Sequence, residues 1–333
     1  MERELELELE LELEMLSEDE LKDLHRQVAE PLRAGTPAVV PLDLDDAGAR
    51  TLWRACELCS FLDHRIDNPA MPLDPRAMTA GDIDAWSSRL LLPGERISDP
   101  RESDWYRSYW ILVDGERIGT IALQVWDWGW AGPHLGFASL YVFPERRRRG
   151  HAKRLLTRLF AAMEQVGLSA LRLETDWLWQ PAVRLYLDCG FAVANWKHVL
   201  SLVRWRELPT PRVRVQQARI ELLRESDQTP IFSAARDGEQ LRWHDHHTEA
   251  EREDRANLQR WEPTLALWLA THGWPLIRSE RTWADRLRWM DAGMPEGLAH
   301  KIQLWEAYAR HHGLPVRTPR IPGLSYPSWE ALS

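Results

Sequence analysis

The amino-acid sequence predicts an α+β fold for residues 36–207, followed by a helix-rich domain of unknown function over residues 208–333. Apolar runs of strand length alternate with amphipathic helical segments along the first range. Asp114–Gly115, between two strand-like runs, is a strong signal for a two-residue hairpin. Pro209–Thr210–Pro211 marks a boundary, after which the pattern predicts a hairpin around Asp237–Gly238 and then mostly helices.

The composition is typical of a globular protein. A length of 333 residues suggests about two domains, and 44% hydrophobic with 28% charged residues is enough for a core. The net charge of −9 argues against nucleic-acid binding by bulk electrostatics, and either suits a cationic partner or reflects solubility alone. No apolar run is long enough to span a bilayer and no secretory signal opens the chain, so we expect a cytoplasmic protein without a membrane partner.

The N-terminal segment has two parts. Residues 1–15 alternate Glu and Leu, and because a row of Glu on one face repels itself, we interpret them as a disordered or weakly ordered low-complexity tail. Met15 is an alternative start. Ser17 and Glu20 have the spacing of a capping box, which predicts an N-terminal helix within residues 16–35.

The remaining elements are predicted in order from apolar periodicity and from Gly and Pro at their ends. Strands are predicted at 38–42, 108–113, 117–123, 137–143 and 171–175 and twice within 191–205, and helices at 46–65, 79–91, 149–166 and 180–189. Cys56 and Cys59 fall on the apolar face of the first helix of this range. We interpret them as buried thiols, because no second pair or nearby His completes a zinc site.

The most informative stretch runs from Leu140 to Lys153, where a strand enters a tight turn and a helix begins. The first amides of a helix lack internal partners and carry partial positive charge, so they can bind a diphosphate if the backbone is accessible. Small residues provide that access and cations add charge: Gly150, Ala152, Arg147, Arg148, Arg149 and Lys153. A solvated basic helix start or a nucleic-acid patch would show the same run of arginines.

This stretch resembles motif A of the GNAT N-acetyltransferases, Q/R-x-x-G-x-G/A, with Arg147, Gly150 and Ala152 at the defined positions. Residues 182–191, AVRLYLDCGF, resemble the family segment A-x-x-L-Y-x-x-x-G-F. The two matches occur in order on a strand–helix–strand–helix frame, and the resemblance covers residues 36–207. It implies a GNAT fold with a mixed, mostly antiparallel central sheet that is splayed at the cofactor site.

The resemblance also implies acetyl-CoA as the acyl donor, with no metal. The backbone of the fourth strand would pair with the pantetheine arm at Leu140, Tyr141 and Val142. The following turn and helix start would bind the pyrophosphate through Arg147, Arg148, Arg149, Gly150, His151, Ala152 and Lys153. Tyr186 would protonate the departing thiolate, since a phenol within hydrogen-bond reach is a suitable acid. The alternative for Tyr186 is a core aromatic on an amphipathic helix.

The attacking amine must lose a proton, which requires a general base or a water chain leading to one. Glu174 and Asp176, at the end of the fifth strand, are the nearest carboxylates, and Glu174 is preferred. A solvent wire without a dedicated base is the alternative. Trp179 stands where family members commonly carry Asn, seven residues before Tyr186, so the cofactor geometry is expected to differ there.

The resemblance implies that two tryptophan-rich segments lie near the acceptor end of the cleft. Aromatic faces and carboxylates attract ammonium groups, and the proposed contacts are Trp126, Asp127, Trp128, Asp176 and Trp177. They predict a small cationic amine, or a protein lysine or N-terminus, as the acceptor. These tryptophans could instead pack against the C-terminal region.

The sequence therefore predicts direct transfer of an acetyl or short acyl group from CoA to a primary amine. The alternative is a catalytically weak acyl-CoA-binding sensor or scaffold whose C-terminal helices bind a partner protein. In a third hypothesis the transferase acts on a protein that residues 208–333 recruit. Metal binding at residues 243–247, WHDHH, is not expected, because adjacent histidines in a loop seldom converge on one ion.

Overall fold

The fold is taken from a computed structural model. It describes residues 16–65, 74–91, 96–103, 105–127, 132–175, 180–196, 200–206, 212–216, 219–223, 227–237, 240–246, 310 and 313. The helices are α1 (Glu18–Ala29), α2 (Ala47–Arg65), α3 (Ala80–Leu90), α4 (His151–Val166) and α5 (Gln180–Asp188). The strands are β1 (Ala38–Pro41), β2 (Tyr106–Val113), β3 (Glu116–Asp127), β4 (Pro133–Val142), β5 (Ala170–Thr175), β6 (Ala192–Trp196), β7 (Leu200–Trp205), β8 (Arg212–Gln216), β9 (Arg219–Leu223), β10 (Pro230–Asp237) and β11 (Gln240–Asp245).

The larger sheet has seven strands in the order β1-β2-β3-β4-β5-β7-β6. β4 and β5 are parallel, whereas β1–β2, β2–β3, β3–β4 and β6–β7 are antiparallel. The prediction of an α+β fold with a mixed, mostly antiparallel sheet is therefore confirmed.

The second sheet consists of β8 to β11 in the order β11-β10-β9-β8, with antiparallel neighbours. Asp237 lies opposite Gln240, so the hairpin predicted around residues 237–238 is confirmed. The described part of the C-terminal region is thus mainly β-sheet. The helices predicted after this hairpin, which the sequence pattern places at about 248–271, 279–291 and 296–312, lie outside the described residues, apart from Arg310, which is helical.

Two local signals in the sequence correspond to the structure in atomic detail. Ser17 and Glu20 form the predicted capping box: the Glu20 amide donates to Ser17 Oγ at 3.3 Å, and the Ser17 amide donates to Glu20 Oε2 at 2.8 Å. Asp114 and Gly115 both have positive φ, 53° and 80°, as a two-residue hairpin turn with the right-handed strand twist requires. Both predictions are confirmed.

The chain divides into two compact units: the first comprises residues 1–42, 100–142 and 146–172, and the second comprises residues 43–99, 143–145 and 173–333. In the second unit, Trp53, Cys56, Cys59 and Leu62 form the buried face of α2, each with none of its surface exposed. Burial raises the pKa of the Cys56 thiol well above its usual value. The prediction that these cysteines are buried thiols is confirmed.

In the first unit, Arg158 on α4 anchors the connection between α1 and β1. Its guanidinium donates to the carbonyl oxygens of Pro31, Ala34 and Pro37, with 2.9 Å between Nη2 and the Pro31 oxygen. A single cation thereby satisfies three backbone acceptors, and charged donors form the stronger hydrogen bonds. The contact holds the chain that enters β1 against the helix that follows β4.

His25 on α1 is a buried titratable group, only 6% exposed, with its ring centroid 6.1 Å from that of Tyr109. Burial lowers its pKa to about 4, assisted by the charge of Arg107 and opposed by a hydrogen bond with the Leu123 backbone. Folded His25 is therefore neutral, whereas the unfolded chain binds a proton below about pH 6.5. Stability is consequently lost as the pH falls from about 6.5 toward 4.

We expect His25→Leu to abolish this pH-dependent loss of unfolding free energy, which amounts to about 2 kcal/mol between pH 7 and pH 5. The measurement is urea unfolding at both pH values, with the difference in unfolding free energy compared between variant and wild type. His244→Leu, at an exposed position of β11, is the control and should keep the wild-type difference. An unchanged difference in His25→Leu would contradict the assignment.

Candidate active site

The site begins with a bulge that β3 and β4 share. Ala122 lies opposite Ala138, but Thr120 lies opposite Tyr141, so β4 contains one extra residue in between. Ser139 adopts a φ of 53°, in the left-handed region that few non-glycine residues occupy. Thr120 Oγ1 donates to the Ser139 carbonyl at 2.9 Å and holds this conformation.

Gly119 allows β3 and β4 to come close at the bulge. A Cβ atom at this position would collide with the carbonyl oxygen of Tyr141 and lie 3.0 Å from Val142 Cα. These are backbone atoms, so a side chain could be accommodated only if the strands separated. Glycine at position 119 is thus required by the geometry of β4 at Tyr141 and Val142.

The parallel pairing of β4 with β5 is short. Among the described residues it joins Leu135 to Leu171 and Gly136 to Arg172, although β4 continues to Val142. Leu140, Tyr141 and Val142, the predicted pantetheine contacts, lie beyond these pairs and after the bulge. Their role toward the cofactor stays a prediction.

The turn after β4 presents the start of α4. A 3-10 turn, Pro144–Arg146, leads to two left-handed residues, Arg148 with φ 59° and Gly150 with φ 76°. Gly150 is the N-cap of α4, and no side chain caps the helix. The first amides of α4 therefore lack the side-chain acceptor that Ser, Thr, Asp or Asn usually supplies, which leaves them available for an anion.

The cations of the predicted phosphate site differ in their environments. Arg147 Nε donates to the Val142 carbonyl at 2.7 Å, and its guanidinium carbon lies 4.9 Å from the Tyr141 ring centroid, so this side chain is bound to the end of β4. In contrast, Arg148, Arg149 and Lys153 are exposed, and no ion pair of their side chains occurs in the described part of the chain. These three are the cations available to an anionic ligand.

His151, the first residue of α4, accepts a hydrogen bond at Nδ1 from Arg154 Nη2 at 2.8 Å. Its pKa lies below the usual value because of partial burial and then the neighbouring charges of Arg154, Arg149 and Arg146. At neutral pH His151 is therefore uncharged, and the positive potential at the helix start comes from the arginines and Lys153.

Tyr186 lies on α5 in the second unit and is 6% exposed. Its ring packs edge-on against Phe191, with 5.9 Å between centroids. Burial, and to a lesser extent Cys189, raises the pKa of the phenol above its usual value, so it carries its proton at any physiological pH. This protonation state suits a general acid, while the burial also suits a core aromatic.

The structure describes only some of the other predicted site residues. Glu174, the preferred base, is exposed on β5. Trp128, Asp176 and Trp177 lie outside the described residues, as does Trp179. Asp127, at the end of β3, accepts a hydrogen bond at Oδ2 from the Leu16 amide at 3.2 Å.

β4 begins at Pro133, four residues earlier than predicted, and this places His134 opposite Trp126. The two rings meet edge-on with 5.1 Å between centroids. His134 is 3% exposed, and burial lowers its pKa to about 4, so the imidazole is neutral but weakly basic. The sequence signal that could have located it is the alternation of Leu135 and Phe137, which extends the strand pattern back through His134.

The domain that contains these elements matches a known family. Residues 79–191 match the model of the acetyltransferase (GNAT) family, and the match includes both motif segments. Residues 79–191 are thus the part of the chain that matches a GNAT acetyltransferase domain. The match supports acyl transfer as the chemistry of this domain. A search of curated proteins finds no match to the sequence.

Solved structures similar to this chain include three acetyltransferases. One from Thermus thermophilus is 17% identical with a TM-score of 0.35, and the match covers 51% of this chain and 97% of that one. The PaiA N-acetyltransferase of Thermoplasma acidophilum, in complex with coenzyme A, is 15% identical with a TM-score of 0.34 and coverages of 51% and 99%. An aminoglycoside acetyltransferase in complex with coenzyme A and kanamycin is 13% identical with a TM-score of 0.33 and coverages of 51% and 94%.

Two further findings concern the described residues. They contain no group of three or more His, Cys, Asp or Glu side chains that could hold a metal ion. None of the helices they form combines the length and apolar character needed to cross a membrane.

Proposed function

We propose that the GNAT domain transfers an acetyl group from acetyl-CoA to the primary amine of a cationic acceptor. One observation carries the proposal: α4 starts at a left-handed glycine without a side-chain cap, directly after the bulged strand, inside the segment that matches the family. Free amides at a helix N-terminus, beside the exposed Arg148, Arg149 and Lys153, are suited to a diphosphate.

The reaction needs one nucleophile, one acid and one proton acceptor. The neutral amine attacks the thioester carbonyl carbon, and the carbon–sulfur bond then breaks to release the CoA thiolate. Tyr186 would donate its proton to that thiolate, since its phenol is protonated at neutral pH. The amine's proton would pass to Glu174 or to a water chain, and His134 is a further, weakly basic acceptor.

The acceptor is proposed to be cationic because of two described residues at the end of β3. Trp126 is half-buried and Asp127 carries a carboxylate, a combination that attracts ammonium groups. The net charge of −9 favours the approach of cations in the same sense. A small amine, a protein lysine and a protein N-terminus all satisfy this chemistry.

The test is release of free CoA thiol from acetyl-CoA by the full-length chain in the presence of a panel of amines. The panel contains a diamine, a polyamine, an aminoglycoside, a lysine peptide, and neutral amines of matched size. We expect turnover with cationic acceptors above that with neutral ones. Tight CoA binding without turnover on any amine would favour the sensor or scaffold instead. Higher turnover with neutral amines than with cationic ones would contradict the cationic acceptor.

A further inference from the structure

Arg76 lies in the 3-10 turn Pro75–Ala77 between α2 and α3 and reaches a distant part of the chain. Its Nη1 lies 2.8 Å from Glu145 Oε1, and its guanidinium carbon is 5.1 Å from the Phe143 ring centroid. On the other side Nε and Nη2 donate to the two oxygens of Asp74 at 2.8 and 3.2 Å. The guanidinium thus bridges its own turn and residues 143–145.

Asp74 orients the arginine for this contact. Its Oδ1 also accepts a hydrogen bond from the Arg76 amide at 3.0 Å, so one carboxylate caps the turn and binds the side chain. A guanidinium held by a two-point contact loses less freedom when it binds a further partner. The hydrogen bond with Asp74 and the nearby carboxylate of Glu145 raise the pKa of Arg76, so its guanidinium stays charged.

Phe143 and Glu145 lie between the end of β4 and the predicted phosphate-binding loop. Phe143 is 2% exposed and directly follows β4, while Glu145 precedes Arg147 by two residues and Gly150 by five. Five residues, 146–150, separate Glu145 from the first residue of α4. Two neighbours in the turn are held by other contacts, Arg146 by Glu116 and Arg147 by the Val142 carbonyl.

We propose that Arg76 is a positioning residue for coenzyme A, which holds the turn at Phe143–Glu145 and thereby the phosphate-binding loop that follows. The inference rests on the proposed function. It connects the segment between α2 and α3 to cofactor affinity. It adds to the loop's own residues a tether from a much earlier part of the chain.

Loss of the ion pair between Arg76 and Glu145 should affect CoA affinity more than the stability of the fold. The side chains of Arg76 and Glu145 are 48% and 44% exposed, and exposed ion pairs contribute little to stability. Loss of this pair should therefore leave the unfolding midpoint within error of wild type. The loop that follows must be ordered to bind an anion. Loss of the contact should therefore raise the Kd for CoA by about fivefold.

The experiment compares full-length wild type with Arg76→Gln, Glu145→Gln and the double variant. CoA binding is measured by calorimetry, acetyl-CoA KM and kcat by thiol release, and stability by urea unfolding. Each single variant should raise Kd and KM about fivefold at unchanged kcat and stability, and the double variant should be no worse than either single one. Arg76→Lys, which keeps the charge, should recover part of the affinity.

Arg33→Gln is the matched control, because it breaks an exposed ion pair with Glu30 outside the turn, 3.3 Å in length. It should leave CoA affinity unchanged. An unchanged Kd in Arg76→Gln, additive losses in the double variant, or a fall in kcat at constant KM would each overturn the inference while leaving CoA binding by the wild type intact. A wild-type chain without CoA affinity would overturn the proposed function as well.

Discussion

Replacing Tyr186 with Phe is expected to lower kcat for acetyl transfer about 100-fold while leaving CoA affinity unchanged, since a positioned acid typically contributes roughly 10²–10⁴-fold. Phe retains the ring and its edge-on contact with Phe191 and removes only the hydroxyl. Because burial raises the pKa of this phenol above its usual value, kcat should show no alkaline decline from its ionisation between pH 7 and pH 9.

The measurement is steady-state thiol release by wild type and variant at saturating acetyl-CoA, with CoA binding by calorimetry alongside. Tyr109→Phe is the control, since Tyr109 is also buried, with its pKa raised to about 12, but lies in the core on β2. Its kcat should stay near wild type. Equal kcat values for Tyr186→Phe and wild type would show that Tyr186 is a core aromatic.

Gly150→Ala is expected to weaken CoA binding about 30-fold, because a methyl group at the helix start restricts the approach of a diphosphate to the helix amides. The strain of an L-residue at positive φ, roughly 1–2 kcal/mol, lowers the unfolding free energy instead. At Gly150 φ is 76°. The added Cβ would lie 3.1 Å from Arg154 Nη1, the end of a flexible side chain that can move aside. The fold should therefore tolerate the substitution better than the ligand site does.

The matched control is Gly115→Ala in the hairpin between β2 and β3. Gly115 has a similar φ of 80°, and a Cβ there would meet no atom within 4 Å. Both variants should lose comparable unfolding free energy, but only Gly150→Ala should lose affinity in calorimetry with CoA. A similar loss of affinity in both variants would refute a specific role of Gly150 in phosphate binding.

Local signals explain why much of the fold could be predicted from the sequence. The Asp114–Gly115 turn, the Ser17 capping box and the glycines after α4 and α5 each act within a few residues, so their chemistry is readable without tertiary information. The bulge in β4 is different. Ser139 carries no local signal for a left-handed conformation, which depends on Thr120 and Gly119 in another strand.

The second sheet shows another limit of prediction from pattern. Glu221 is 4% exposed in β9, where its carboxylate binds Arg214 Nε at 2.6 Å and Arg219 Nε at 2.9 Å. A charged residue in a buried position interrupts the apolar alternation by which strands are recognised. The sequence therefore indicates the β10–β11 hairpin through its turn but gives little sign of β8 and β9.

The candidate site could be predicted only in part from the sequence, because several of its contacts join residues that are distant in the chain or depend on how the turn folds. The motif identifies the loop, Arg147 and Gly150, but it does not show what the Arg147 side chain contacts. Its attachment to Val142 and Tyr141 depends on how the turn folds back on β4. The contact between Arg76 and Glu145 joins positions far apart in the chain and has no sequence signature.

The extra residue in β4 shifts the alternation of side chains between the two faces for the rest of the strand. Side chains alternate between faces with a period of two, so one inserted position reverses the assignment of everything after it. Ala138 and Tyr141, three positions apart, thus face the same side because they oppose Ala122 and Thr120. A regular strand of the same length would instead place Tyr141 on the face opposite to that of Ala138. The bulge at Ser139 therefore decides which face of the sheet carries Tyr141.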